Sequence, residues 1–179
     1  VSKCGTLRPD AASEHDYYTM ILGFTGTQKG MTENQKKIFR QFILNHRPKN
    51  LCHGDCVGAD VEAHLIVKDC FPKCHIEIFP PINNSKRAFT TRHSTPTIIL
   101  HPEMDYIARN HAIVDNCDTL IATPKGKEQL RSGTWATIRY ALKCQKNIYI
   151  IFPDGTLGGI LGKWKTEGST LVNLLKETK

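Results

Sequence analysis

The sequence lacks any long apolar run. Its longest, such as Ile148-Tyr-Ile-Ile-Phe152, fall far short of the roughly 20 residues that a membrane-spanning helix needs, so no bilayer crossing is expected. Residues 1–15 mix Lys3, Arg8, Asp10 and Glu14 and contain no central apolar block of the secretory kind, so a cytoplasmic setting is expected. There is no internal repeat and no low-complexity tract. A disulfide framework is also missing: seven cysteines are an odd number in a chain too large to depend on covalent staples, and reduced, partly buried thiols are expected. Acidic residues are in deficit, with 17 Asp and Glu against 24 Lys and Arg. The resulting charge of +7 favours anionic partners through the summed field.

What is present is the composition of one folded domain. The chain has 179 residues, 40% hydrophobic and 23% charged, which excludes wholesale disorder and leaves no room for two comfortable domains. Three parts are expected: an N-terminal arm over residues 1–18, a ligand-binding domain over 19–155, and a C-terminal extension over 156–179 packed on or beside that domain.

Within the domain, short apolar runs alternate with helical patterns. Strands are expected at 19–24, 50–53, 75–79, 97–100, 118–122 and 147–152, each ended by Gly or Pro punctuation or a polar turn. Thr32-Glu-Asn-Gln35 has the spacing of a capping box, and Ile38, Phe39, Phe42 and Ile43 form the apolar stripe of the helix behind it. Ala59, Ala63, Ile66, Val67 and Cys70 mark a second helix. Met104, Ile107, Ala108, His111 and Asp115 mark a third, started by Asp105 or by Pro102, and Trp135, Ile138, Ala141 and Leu142 a fourth. Strands apolar on both faces, alternating with helices, predict an α/β fold: a three-layer Rossmann-like arrangement with a mostly parallel central sheet flanked by helices. Residues 83–95 read as a surface loop or short helix whose Lys86, Arg87 and Arg92 either clamp a diphosphate or decorate a solvated face, the solvated face being preferred. For 156–179, Leu171, Leu174 and Leu175 indicate a terminal helix, whereas the glycines before them indicate a loop.

In open parallel sheets, ligands gather beyond the carboxyl ends of the strands, and three turns fall there. Gly23-Phe-Thr-Gly-Thr-Gln-Lys-Gly30 is neither G-x-G-x-x-G nor a Walker loop, yet Gly26 and Thr27 sit where a backbone can approach a phosphate. His53-Gly-Asp-Cys-Val-Gly-Ala-Asp60 runs from a strand into a helix. Its Gly54 and Gly58 permit a close approach, and Asp55 or Asp60 is positioned to hold a ribose hydroxyl or, for Asp60, to complement its helix. Arg131-Ser-Gly-Thr-Trp135 opens a helix with small, donor-rich residues. Ser132, Gly133 and Thr134 offer amides and a dipole to a phosphate, or Ser132 acts as an ordinary N-cap. Cys52, His53, Cys56, Cys70, Cys74 and His75 include metal-ligating types, but their C-x3-C spacing and apolar settings favour buried thiols over zinc. No metal and no cofactor is called for.

The ordered set GFTGTQKGMT, HGDCVGAD, RNHAIVDNCDTLIATP, RSGTWATIRYA and NIYIIFPDG, spanning about residues 21–155, resembles the SLOG superfamily. These are Rossmann-like proteins that include LOG phosphoribohydrolases and DNA-processing protein A. The match is closest to small stand-alone members of unassigned activity. The resemblance implies a nucleotide-type ligand over the carboxyl edge of the sheet, with its phosphate at Gly133-Thr134 and the Gly26-Thr27 loop beside it. LOG enzymes cleave the N-glycosidic bond of nucleoside 5′-monophosphates with a Gly-Gly-x-Gly-Thr-x-x-Glu motif and an upstream Arg. Arg109, followed by Asn110, matches that Arg, and Gly133-Thr134 the Gly-Thr. The preceding glycine pair is replaced around Arg131, however, and the Glu position falls on Thr137. The carboxylate that would stabilise an oxocarbenium-like transition state is missing from the motif, leaving Asp55, Asp60 or Glu128 as substitutes and Arg109 and Asp60 as catalytic candidates. Binding therefore stands ahead of catalysis: a sensor or binding module for a nucleotide or an ADP-ribose-like ligand is expected, with phosphoribohydrolase activity as the alternative. Nucleic-acid binding is the third reading, since the aromatic residues fall mostly in expected core segments rather than interleaved with the basic loop. A homo-oligomer is what the resemblance implies for assembly.

Overall fold

A computed structural model describes residues 19–92 and 97–160. The expected N-terminal arm, the end of the basic loop at 93–95 and Leu171, Leu174 and Leu175 of the C-terminal extension lie outside the described residues. Six parallel strands and one antiparallel strand form a single sheet. They are β1 (Ile21–Gly26), β2 (Asn50–His53), β3 (His75–Ile78), β4 (Ile98–Leu100), β5 (Thr119–Thr123), β6 (Asn147–Ile151) and β7 (Leu157–Ile160), in the spatial order β4-β3-β2-β1-β5-β6-β7. The helices are α1 (Glu33–His46), α2 (Ala59–Cys70), α3 (Tyr106–Asp115) and α4 (Gly133–Lys143). The α/β Rossmann-like architecture expected from the alternation of elements is the architecture of the protein.

The uninterrupted apolar strands are explained by a core on each face of the sheet. In β5, Leu120 and Ala122 pack with Trp135 and Ile138 of α4 and Val114 of α3, while Ile121 points to the opposite face, among Phe39 and Ile43 of α1 and Ala63 and Val67 of α2. The period of two along a strand thus feeds both cores at once. The ladder runs furthest between β1 and β5, where Gly26 pairs in register with Thr123. This carries β1 two residues past the apolar run that predicted it.

The order of strands reverses between β1 and β5, so a crevice opens beyond their carboxyl ends. The capping box forms as expected: Thr32 Oγ1 accepts from Gln35 N at 3.1 Å, and Gln35 Oε1 accepts from Thr32 N at 3.0 Å. Gln35 is also buried, and its amide donates to the carbonyls of Pro124 and Ile151. One residue thereby ties the start of α1 to the ends of β5 and β6.

Three sequence expectations need correction. The buried face of α3 is Arg109, Asn110, Ile113 and Val114, with Ile107 66% exposed, because this helix turns polar residues toward the crevice. The basic loop is not simply solvated. It forms two 3-10 turns (Asn84–Lys86 and Thr90–Arg92), buries Thr90 and pairs Arg87 with Asp55 and Glu103. Leu157–Ile160, read as loop or helix, is an edge strand on β6 that follows the Pro153-Asp-Gly155 turn. Among the described residues, six cysteines carry free thiols, and no helix is long and apolar enough to cross a membrane.

Candidate functional site at the carboxyl edge of the sheet

A narrow cleft lies at the reversal point. Gly26 of β1, Asp60 at the start of α2, Arg109 and Asn110 of α3 and Thr134 of α4 line it, together with Thr25, Gln28, Cys56, Tyr106 and Ile113. The other proposed residues stand behind or beside this cleft. Thr27 turns the loop: its carbonyl accepts from Gly30 N and Ala59 N, and its hydroxyl accepts from Lys29 N. Gly58 has φ +91° and lies against the backbone of Gln28, so the turns after β1 and β2 interlock. A Cβ on Gly26 would collide with Ala59 and Thr123. The glycine is therefore required by packing, whatever binds above it. Gly54 lets the Arg109 guanidinium and the Asp60 carboxylate approach its Cα.

Arg109 is the centre of the site. It is 4% exposed. One terminal nitrogen donates to Gly54 O at 3.1 Å and lies 2.8 Å from Cys56 Sγ, and the other donates to Asn110 Oδ1 at 3.0 Å. Its Nε has no hydrogen-bond partner among the described residues. A buried guanidinium lacking a bidentate carboxylate is an incomplete arrangement, since burying charge is costly without full pairing.

Asp60 accepts from Cys56 N at 3.1 Å and also takes the Gly54 amide. Burial pushes its carboxyl up to about 6, against the opposing pull of Arg109. Burial likewise raises the Cys56 thiol, helped by Asp60 and opposed by Arg109.

Asp55 is fully buried at φ +54°. One carboxylate oxygen accepts from Arg87 Nε at 2.9 Å, the other from Thr90 N and Thr90 Oγ1 at 2.9 and 2.6 Å. It anchors the loop between β3 and β4 and does not face the cleft. Beneath it, His53 Nδ1 accepts from Asp55 N, and His53 Nε2 lies 3.1 Å from His64 Nδ1. His53 therefore carries its proton on Nε2 and donates to His64. Burial, reinforced by His64, holds its basicity well below that of an ordinary histidine.

At the α4 N-terminus, Ser132 accepts from Trp135 N at 3.4 Å, the N-cap use of that residue. Arg131 is exposed and does not line the cleft. Thr137, in place of the LOG glutamate, is buried and donates its hydroxyl to Gly133 O at 3.0 Å. Glu128 pairs with Arg139 at 2.9 Å.

Tyr106 carries no signal in the sequence. Its hydroxyl rests so close to Gly133 that a Cβ there would collide with it, and the Arg109 guanidinium sits 4.9 Å from its ring centre. With Tyr106 in place the cleft measures about 30 Å³, room for water but not for a phosphate group. A wider pocket of about 350 Å³ shares Cys56, Tyr106 and Arg109 with it and continues to Pro81, Ile82, Asn83, Lys86, Met104 and Asp105. Among the described residues, no group of three or more Cys, His, Asp or Glu is placed to hold a metal ion.

This geometry defines a class: a Rossmann-like α/β protein with its crevice at the reversal of strand order. Two solved structures share the fold. DNA processing protein A from Streptococcus pneumoniae matches with a TM-score of 0.56 at 14% identity, over 75% of this chain and 50% of that one, so the present chain spans about half its length. A structural-genomics protein, TM1055, matches with a TM-score of 0.51 at 10% identity, over 73% of this chain and 72% of that one. No family model and no curated protein matches the sequence.

Proposed function

We propose that this protein binds a nucleotide or nucleotide-derived phosphorylated ligand at the carboxyl edge of its sheet, as a sensor or binding module. The observation that carries the reading is Arg109, a buried guanidinium lining the crevice with one N–H unpartnered. A phosphate placed between Arg109 and the first amides of α4 gains charge-assisted hydrogen bonds and the helix dipole together. For this to happen Tyr106 must leave Gly133. It is 45% exposed, so a small rotation off Gly133 costs little packing and leaves the ring at the wall of the wider pocket. The wider pocket then receives the rest of the ligand, within the size range usual for small-molecule sites.

One observation favours a second reading, hydrolysis of the N-glycosidic bond of a nucleoside 5′-monophosphate. Asp60 is a carboxyl in the cleft itself, with its proton affinity raised into the range useful for acid–base work at neutral pH. It takes the place of the carboxylate that Thr137 does not supply. Native mass spectrometry of the protein with nucleoside monophosphates, ADP-ribose and cyclic nucleotides separates the two readings. An intact bound nucleotide is the result expected of a binding module. Base release that Asp60→Asn abolishes would make the protein an enzyme. Binding of single-stranded nucleic acid with no mononucleotide bound would move the function to a different class.

A further inference from the structure

The wider pocket has walls and a polar pattern of its own. Ile82, Met104 and Tyr106 supply flat or pliable apolar surface, of the kind on which a base stacks. Besides Arg109, which it shares with the cleft and which is assigned to the phosphate, the polar side chains Asn83, Lys86 and Asp105 line it. Which of their atoms are already used decides what the pocket can recognise. Asn83 spends its Oδ1 on Ser85, accepting from the backbone N at 3.0 Å and from the hydroxyl at 2.7 Å, which leaves its NH2 group to donate. Among the described residues Lys86 Nζ has no partner, and an ammonium only donates. Asp105 spends Oδ1 on the α3 N-cap, accepting from Ile107 N and Ala108 N at 3.0 Å each. Its Oδ2, with two lone pairs, is free to accept.

The pocket therefore offers two donors and one carboxylate oxygen. Guanine carries two neighbouring acceptors, O6 and N7, and on its pairing edge two parallel donors, N1–H and N2–H2. It can satisfy both kinds of group at once. Adenine brings a single donor group, the N6 amine, and uracil a single N3–H, so either leaves part of the carboxylate unsatisfied. All three side chains stand exposed at the rim of the pocket, so it is the paired hydrogen bonds to a base edge that discriminate there.

From this inventory we infer that the ligand is a guanine nucleotide, its base held between Tyr106 and the 81–86 loop, with O6 and N7 toward Lys86 and Asn83 and its N1–H and N2–H2 on Asp105. This rests on the nucleotide reading above and narrows it to one base.

The test is calorimetric titration of the full chain with ribose 5-phosphate, GMP, AMP and UMP, together with Asp105→Asn titrated with GMP and xanthosine monophosphate. Asparagine caps helices as well as aspartate does, so the variant keeps the start of α3. In the wild type, GMP should bind roughly tenfold or more tightly than AMP and UMP, the discrimination expected of a paired polar edge. In Asp105→Asn the order should invert toward xanthosine monophosphate, whose position 2 is a carbonyl that accepts from the new amide. Equal affinity for the three nucleotides, or an unchanged GMP preference in Asp105→Asn, would overturn the guanine assignment while leaving nucleotide binding in place. If none of the ligands binds, ribose 5-phosphate included, the nucleotide reading itself falls and the guanine assignment with it.

Discussion

Asp55 shows how a residue can be read correctly as important and still be placed in the wrong role. Its sequence setting, a carboxylate in a strand-to-helix turn, is the setting of a ribose-binding acid, but its oxygens are used up by Arg87 and Thr90. Nothing local announces this, because both partners come from a loop more than thirty positions away. Asp55→Ala leaves the nearly buried Arg87 cation with one partner fewer and Thr90 with two donors unsatisfied. A loss of about 3–5 kcal/mol is expected, read as a fall in the urea midpoint. Asp55→Asn, which tolerates the left-handed backbone and still accepts from Thr90, should lose less. His53 gives the pH dependence at the same scale. Its folded basicity lies below the unfolded value of 6.5, so the stability linked to it is complete above that value and drains away as pH falls below it. Between pH 7.5 and 6 the wild type should lose roughly 1 kcal/mol more than His53→Gln, measured as the difference between their denaturant midpoints. That window lies above the range from 3.8 to about 6 in which Asp60, with its raised value, contributes in the opposite sense.

Among the elements, those whose signals are local were legible. The Thr32–Gln35 capping box, the β2 strand at Asn50–His53 and the Asp105 cap of α3 all stand where the residue types put them. Thr32→Ala should cost about 1 kcal/mol, and somewhat more here because Thr32 also donates to Pro153 O at 2.7 Å. A thermal melt checks it. The elements that went unread are those set by a partner. β1 extends to Gly26 because Thr25 and Gly26 pair with Ala122 and Thr123 of β5. Leu-Gly-Gly-Ile has no strand propensity to show, and becomes β7 because the preceding turn brings it against β6. The buried face of α3 is not legible from periodicity, which takes the buried side to be the apolar one, whereas this helix buries Arg109 and Asn110. The apolar Ile107 was left outside as a consequence. Tyr106, one turn before Arg109, carried no signal at all: its role comes from α3 and α4 meeting at their N-terminal ends.

At the scale of the whole molecule, the crevice exists because strand order reverses between β1 and β5. The turn after β1, the start of α2 and the starts of α3 and α4 all converge there. The expected residues Gly26, Asp60, Arg109, Asn110 and Thr134 do meet in it, whereas Asp55 and Arg131 do not. Burying a cation with an unpartnered donor at that convergence is a standing cost to stability, and such departures from local consistency concentrate where a ligand binds. The central claim is that a phosphate sits between Arg109 and the α4 N-terminus. The most direct measurement is titration of wild type and Gly133→Asp with ribose 5-phosphate. An aspartate at that position suits the positive end of the helix, and the nearest atoms in its way belong to the half-exposed Tyr106 side chain, so the variant should fold. Saturable binding by the wild type and none by Gly133→Asp is expected. Equal binding by both proteins would contradict it and put the phosphate elsewhere.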